Sequence, residues 1–154
     1  MNDRLQAILE STAGGDLDIV ATGVLGAKAT VIGEPVFAAV RGHFVDPRTL
    51  GVVRVSGMAE IGSGSPAHWS AVAKVVDLDG PTFADAQWTR PEIEEVVYEE
   101  DYFAGEEHSF RPARCYLVSR PQGNIRVFWI EDLTGAENAP FGVEQLSEMA
   151  RHLG

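Results

Sequence analysis

The stretch Gly51-Val52-Val53-Arg54-Val55-Ser56-Gly57-Met58-Ala59-Glu60-Ile61 decides how the rest of the chain is read. Val53, Val55, Ala59 and Ile61 fall on one side of a period-two alternation, and Arg54, Ser56 and Glu60 on the other. That is the pattern of a β-strand with one dry face and one wet face. On either side the chain keeps the same character, with Val, Ile, Thr and Ala in runs broken by Gly and Pro. Further strands are expected at Ile19–Leu25, Ala27–Ile32, Val36–Val45 and His68–Leu78. The links Gly33-Glu34-Pro35, Asp46-Pro47-Arg48 and Gly62-Ser63-Gly64-Ser65-Pro66 leave no room for a crossover helix, so the strands should pair antiparallel.

Farther out, Leu5, Ile8 and Leu9 are spaced as on an amphipathic helix over Asp3–Ser11, closed by Gly14-Gly15. Beyond Asp79-Gly80-Pro81 lies an irregular stretch anchored by Phe83 and Trp88, then Glu92–Tyr98, read as a strand that carries Ile93 and Val97 inward. Arg114–Ser119 and Asn124–Glu131 form a hairpin across Arg120-Pro121-Gln122-Gly123, in which the proline is already set for the turn. Ile125, Val127 and Trp129 alternate with Arg126, Phe128 and Ile130. Both sets are mainly apolar, so this strand should be covered on both faces. Val143, Leu146, Met149, Ala150 and Leu153 mark a closing helix over Phe141–Leu153.

The expected fold is α+β, in one domain over residues 1–154. It comprises a curved, mainly antiparallel sheet of about six to eight strands, open or closed into a half-open barrel, with a short N-terminal helix and a C-terminal helix.

The chain has 154 residues, 45% of them hydrophobic, which is ordinary for a globular domain. It carries 12 Lys+Arg against 23 Asp+Glu, a net charge of −11. That balance repels phosphate, and no basic stripe interrupts it, so nucleic acid is not an expected partner. The single cysteine, Cys115, cannot pair within the chain, which points to a reducing cytoplasm. Its apolar strand suits a small buried hydrophobe better than a nucleophile. The first ten residues lack the apolar core of a secretory leader, and no run is long and apolar enough for a membrane span, so membrane association is not expected.

The densest charge lies in Glu92, Glu94, Glu95, Glu99, Glu100, Asp101, Glu106 and Glu107, eight of the 23 acids within sixteen residues and without a Lys or Arg among them. One reading is a solvated edge that deters strand pairing. Another is a docking surface for a basic protein, formed by Glu94, Glu95, Glu99, Glu100, Asp101, Glu106 and Glu107 with Tyr98, Tyr102 and Phe103 as aromatic anchors. A metal site at Asp101, Glu106, Glu107 and His108 lacks a ligand spacing that would converge. The four histidines show no HExxH or HxH pattern, and the Gly62–Ser65 loop is neither GxSxG nor a Walker loop, so no metal, cofactor or catalytic residue is assigned.

Three functional expectations follow. The first is a cytosolic acidic binding module, such as an inhibitor or immunity-type protein, that occupies a basic partner. The second is a ligand-binding protein or enzyme with a pocket in the curved sheet near His43, His68, Trp69 and Trp129. The third is an assembly subunit that forms homo-oligomers.

Overall fold

The alternation over residues 51–61 is realised within one 13-residue strand, and its register with the neighbours sets the rest of the architecture. The computed structural model describes residues 2–12, 14–40, 46–62, 64–81, 91–99 and 113–134. In chain order the elements are α1 (Asp3–Ser11), α2 (Gly15–Leu25), β1 (Ala29–Ala39), β2 (Thr49–Ile61), β3 (Ser65–Asp77), α3 (Pro91–Glu99), β4 (Cys115–Ser119) and β5 (Ile125–Glu131). The strands form one antiparallel sheet in the order β1-β2-β3-β5-β4. This is an α+β architecture with an open sheet, not a closed barrel.

Five strands are described where eight segments had been expected to extend, and each difference has a local cause. Ile19–Leu25 belongs to α2, a helix whose Leu17, Val20 and Ala21 are buried at i, i+3, i+4 spacing. Glu92–Tyr98 lies in α3. Ala27–Ile32 and Val36–Val45 are joined rather than turned: Gly33-Glu34-Pro35 is an irregularity inside β1, across which Ile32 pairs with Met58 and Val36 with Ser56. Proline is tolerated there because β1 is an edge strand. The closing helix expected over residues 141–153 lies outside the described residues.

Alternation in register divides the sheet into two faces. The first carries Val53 and Val55 of β2, Trp69, Ala71, Ala73 and Val75 of β3, and Val127 and Trp129 of β5. All are buried, in one cluster with Leu5, Ile8 and Leu9 of α1 and Leu17, Val20 and Ala21 of α2. Burial of this many apolar side chains is the dominant stabilising term for the sheet and its two helices. Gly51 lets α1 come down onto the sheet, since a Cβ there would lie 2.5 Å from Leu5 Cδ2.

The helix ends are specified by side chains. Asn2 caps α1, its Oδ1 accepting from Leu5 N–H at 2.8 Å, and Gly26 ends α2 in the left-handed region at φ 67°. Asp18 and Thr22, one turn apart on α2, accept from Val31 N–H at 2.7 Å and Ala29 N–H at 3.0 Å. These are donors on the outer side of an edge strand, so α2 blunts the edge that β1 would otherwise offer to another chain.

Candidate protein-binding surface

The second face of the sheet is where charge and exposed apolar groups meet. Its lateral rows are set by register. Ile32, Met58 and His68 form one row, Val36, Ser56 and Ser70 the next, then Ala38, Arg54, Val72 and Ile130, then Val52, Lys74, Phe128 and Val118, and finally Val76 with Arg126. α3 lies over the last two rows. Its Tyr98 ring meets Phe128 with centroids 5.9 Å apart, and its acids reach the cations of those rows and of the turns beside them.

Four glutamates make these contacts. Glu94 pairs with Lys74 at 2.5 Å and Glu92 with Arg48 at 3.3 Å. Glu95 accepts from Arg126 Nε at 2.9 and 3.1 Å and from Arg120 at 2.5 Å, and Glu99 pairs with the same Arg120. The local repulsion expected of this acidic segment is therefore relieved by cations distant in sequence but adjacent in the fold. That could not be read from neighbours along the chain. The same charge also acts on two half-buried groups, Tyr98 of α3 and Cys115 of β4. Burial, then the Glu94 carboxylate, pushes the Tyr98 hydroxyl up to about 12. Burial, with a smaller contribution from Glu94 and Glu99, pushes the Cys115 thiol up to about 11. Cys115 is thus a thiol rather than a thiolate at neutral pH, which agrees with its reading as an inert apolar group.

Near the middle of the face a polar network ties β5 to β2 and β3. Asp132, just beyond β5, accepts from Arg54 Nε at 2.9 Å and from Ser70 Oγ at 2.5 Å, while Thr134 N–H donates back to Asp132 at 3.0 Å and Arg54 also reaches Thr134 Oγ1. Burial raises the Asp132 carboxyl, but the Ser70 and Thr134 hydrogen bonds and the Arg54 charge outweigh it and hold the group below its usual value. On the far side of this network, α3 does not reach. There Ile32, Val36 and Met58 are 41%, 62% and 39% exposed, with the exposed Glu34 and Glu60 at the rim.

Of the residues named from sequence for docking, Glu94, Glu95, Tyr98 and Glu99 are brought together on α3. The others, Glu100, Asp101, Tyr102, Phe103, Glu106 and Glu107, lie outside the described residues. Trp69 and Trp129 are core residues of the first face, His68 is exposed on the second, and His43 lies outside the described residues. Sequence reasoning missed the patch formed by Ile32, Val36 and Met58, because the first two were assigned to separate strands. Among the described residues no cluster of His, Cys, Asp and Glu converges as a metal site, and no helix is long and apolar enough to cross a membrane. Comparison with known proteins finds no family model, no curated protein and no solved structure that matches the chain.

Proposed function

We propose that the protein is an acidic, non-enzymatic binding module that takes a basic protein partner on the second face of its sheet. The observation that carries this reading is the patch Ile32, Met58 and Val36, three large apolar side chains from two adjacent rows exposed on one sheet face beside Glu34 and Glu60. Apolar groups supply the desolvated centre of an interface, and the surrounding charge governs encounter rate and choice of partner. With a net charge of −11, the chain attracts basic surfaces and repels acidic ones. Occupying the active surface of a basic enzyme, as an inhibitor or immunity-type protein does, is one form this activity would take.

The test compares the wild-type chain with a Val36→Asp, Met58→Asp double variant in affinity capture from an extract of the source organism at low and high salt. A basic protein retained by wild type at low salt, released at high salt and lost by a double variant of unchanged melting temperature is the expected result. Retention by the variant would exclude the exposed patch as the docking surface. Mass measured in solution across a range of concentrations covers the homo-oligomer reading, which predicts a dimer that the same double variant dissociates.

A further inference from the structure

The three described helices are held to the sheet by different forces. α1 and α2 bury Leu5, Ile8, Leu9, Leu17, Val20 and Ala21 against the first face, whereas α3 meets the second face and its turns through four carboxylates and the Tyr98 ring, with Val97 half-buried. Two of its apolar residues point away from the sheet: Ile93 is 55% and Val96 49% exposed. A nine-residue helix is below the length at which helices persist alone. Glu99 also sits at the C-terminal end of α3, where the helix dipole disfavours an anion, and no basic residue lies in the last turn. The helix is held by its contacts with Arg48, Lys74, Arg120 and Arg126, and by the packing of Tyr98 on Phe128. Phe128, which Tyr98 meets, and Val76, in the adjacent row, are fully buried but stand outside the cluster formed with α1 and α2.

We infer that α3 is a displaceable strap, released when an arginine-rich segment of a partner competes for its glutamates, and that its release extends the exposed patch of Ile32, Met58 and Val36 toward Phe128 and Val76. This rests on the reading of the protein as a binder of basic partners. The exchange replaces one set of guanidinium–carboxylate contacts by another. Pairs of this kind near the surface add little net stability and are weakened by salt, so a multivalent cation competes effectively. Glu92 and Glu99, about half exposed, release first. Glu95, sheltered between Arg120 and Arg126, releases last.

The probe is octa-arginine added to the full chain at low salt, with binding followed by fluorescence anisotropy and opening by amide hydrogen exchange. Binding accompanied by exchange in residues 91–99 at least roughly tenfold faster, with β2 and β3 unchanged, supports the strap. The same selective acceleration is expected without peptide at about 1 M salt, where the Debye length falls to roughly 3 Å. It is also expected at low salt in an Arg120→Glu, Arg126→Glu variant, and adding Glu95→Arg should restore protection. If octa-arginine binds while residues 91–99 keep their protection, the strap is overturned and the binding reading stands. If octa-arginine does not bind at low salt, the competition proposal and the basic-partner reading fall together.

Discussion

Trp129 and Ser119 are joined across the β4–β5 pair: the indole N–H of Trp129 donates to Ser119 Oγ at 2.8 Å, and both residues are buried. The ring fills the first face beside Ala73 and Leu117, its register partners on β3 and β4, so one side chain serves both packing and polar satisfaction. Trp129→Ala should lower unfolding free energy by about 3–5 kcal/mol. Ser119→Ala should cost about 1–3 kcal/mol, because it strands a buried donor. Urea unfolding of the two variants checks both values, and a Trp129→Ala protein with the wild-type midpoint would remove that ring from the core.

Trp69 offers the contrasting case. It is equally buried on the same face, near Gly57 and Pro35, yet its indole N–H has no hydrogen-bond partner among the described residues. Trp→Phe removes comparable volume at either site but breaks a hydrogen bond only at position 129. Trp69→Phe should therefore be less destabilising than Trp129→Phe, by about 1 kcal/mol. Equal losses in denaturant melts would mean that Trp69 has an acceptor after all.

These two rings also mark what was legible beforehand. β2 and the β4–β5 hairpin followed from alternation and turn chemistry, which act between residues close in sequence, and Val53, Val55 and Ala59 are buried as their pattern required. The coverage of β5 on both faces was equally readable, and Phe128 is buried opposite Trp129. The helices α2 and α3 were not. In α2, β-branched Ile19, Val20 and Val24 suggested a strand, but burial of Leu17, Val20 and Ala21 against the sheet overrides that weak propensity. In α3, Ile93 and Val97 are four residues apart, a spacing shared by one face of a strand and one face of a helix. The cation partners of its glutamates on β3, β5 and the turns are a tertiary fact that adjacent residues do not encode.

Asp132 gives the fold an acid limit. Its carboxyl lies below the ordinary value because the Ser70 and Thr134 hydrogen bonds and Arg54 outweigh the opposing effect of burial. A group with a depressed folded pKa stabilises the native state above its unfolded value and loses that contribution as pH falls through the folded one. Asp46, held low by Arg48 against the same burial penalty, acts in the same direction. Stability should therefore decline as pH drops below about 4, and Asp132→Asn should be less stable than wild type at neutral pH with a shallower acid decline. Urea midpoints of both proteins as a function of pH decide it, and parallel curves would rule out Asp132 as the source.

At alkaline pH the sign reverses, and the group concerned reports on α3. Tyr98 is pushed up to about 12 by burial and by the Glu94 charge, so the native state is favoured while the phenol keeps its proton. That contribution is complete below the unfolded value near 10 and is lost as pH rises through the folded one. Both causes depend on α3 lying against Phe128 and Lys74, since a released helix returns Tyr98 to water. Tyrosinate absorbance, titrated in wild type and in Tyr98→Phe to isolate this residue, should show a late-ionising tyrosine at low salt. In the Arg120→Glu, Arg126→Glu variant that tyrosine should move back toward 10 while far-ultraviolet circular dichroism still reports the sheet. If Tyr98 continues to ionise late in the variant, burial of its ring does not depend on the ion pairs of Glu95 and Glu99, and α3 is held by packing instead.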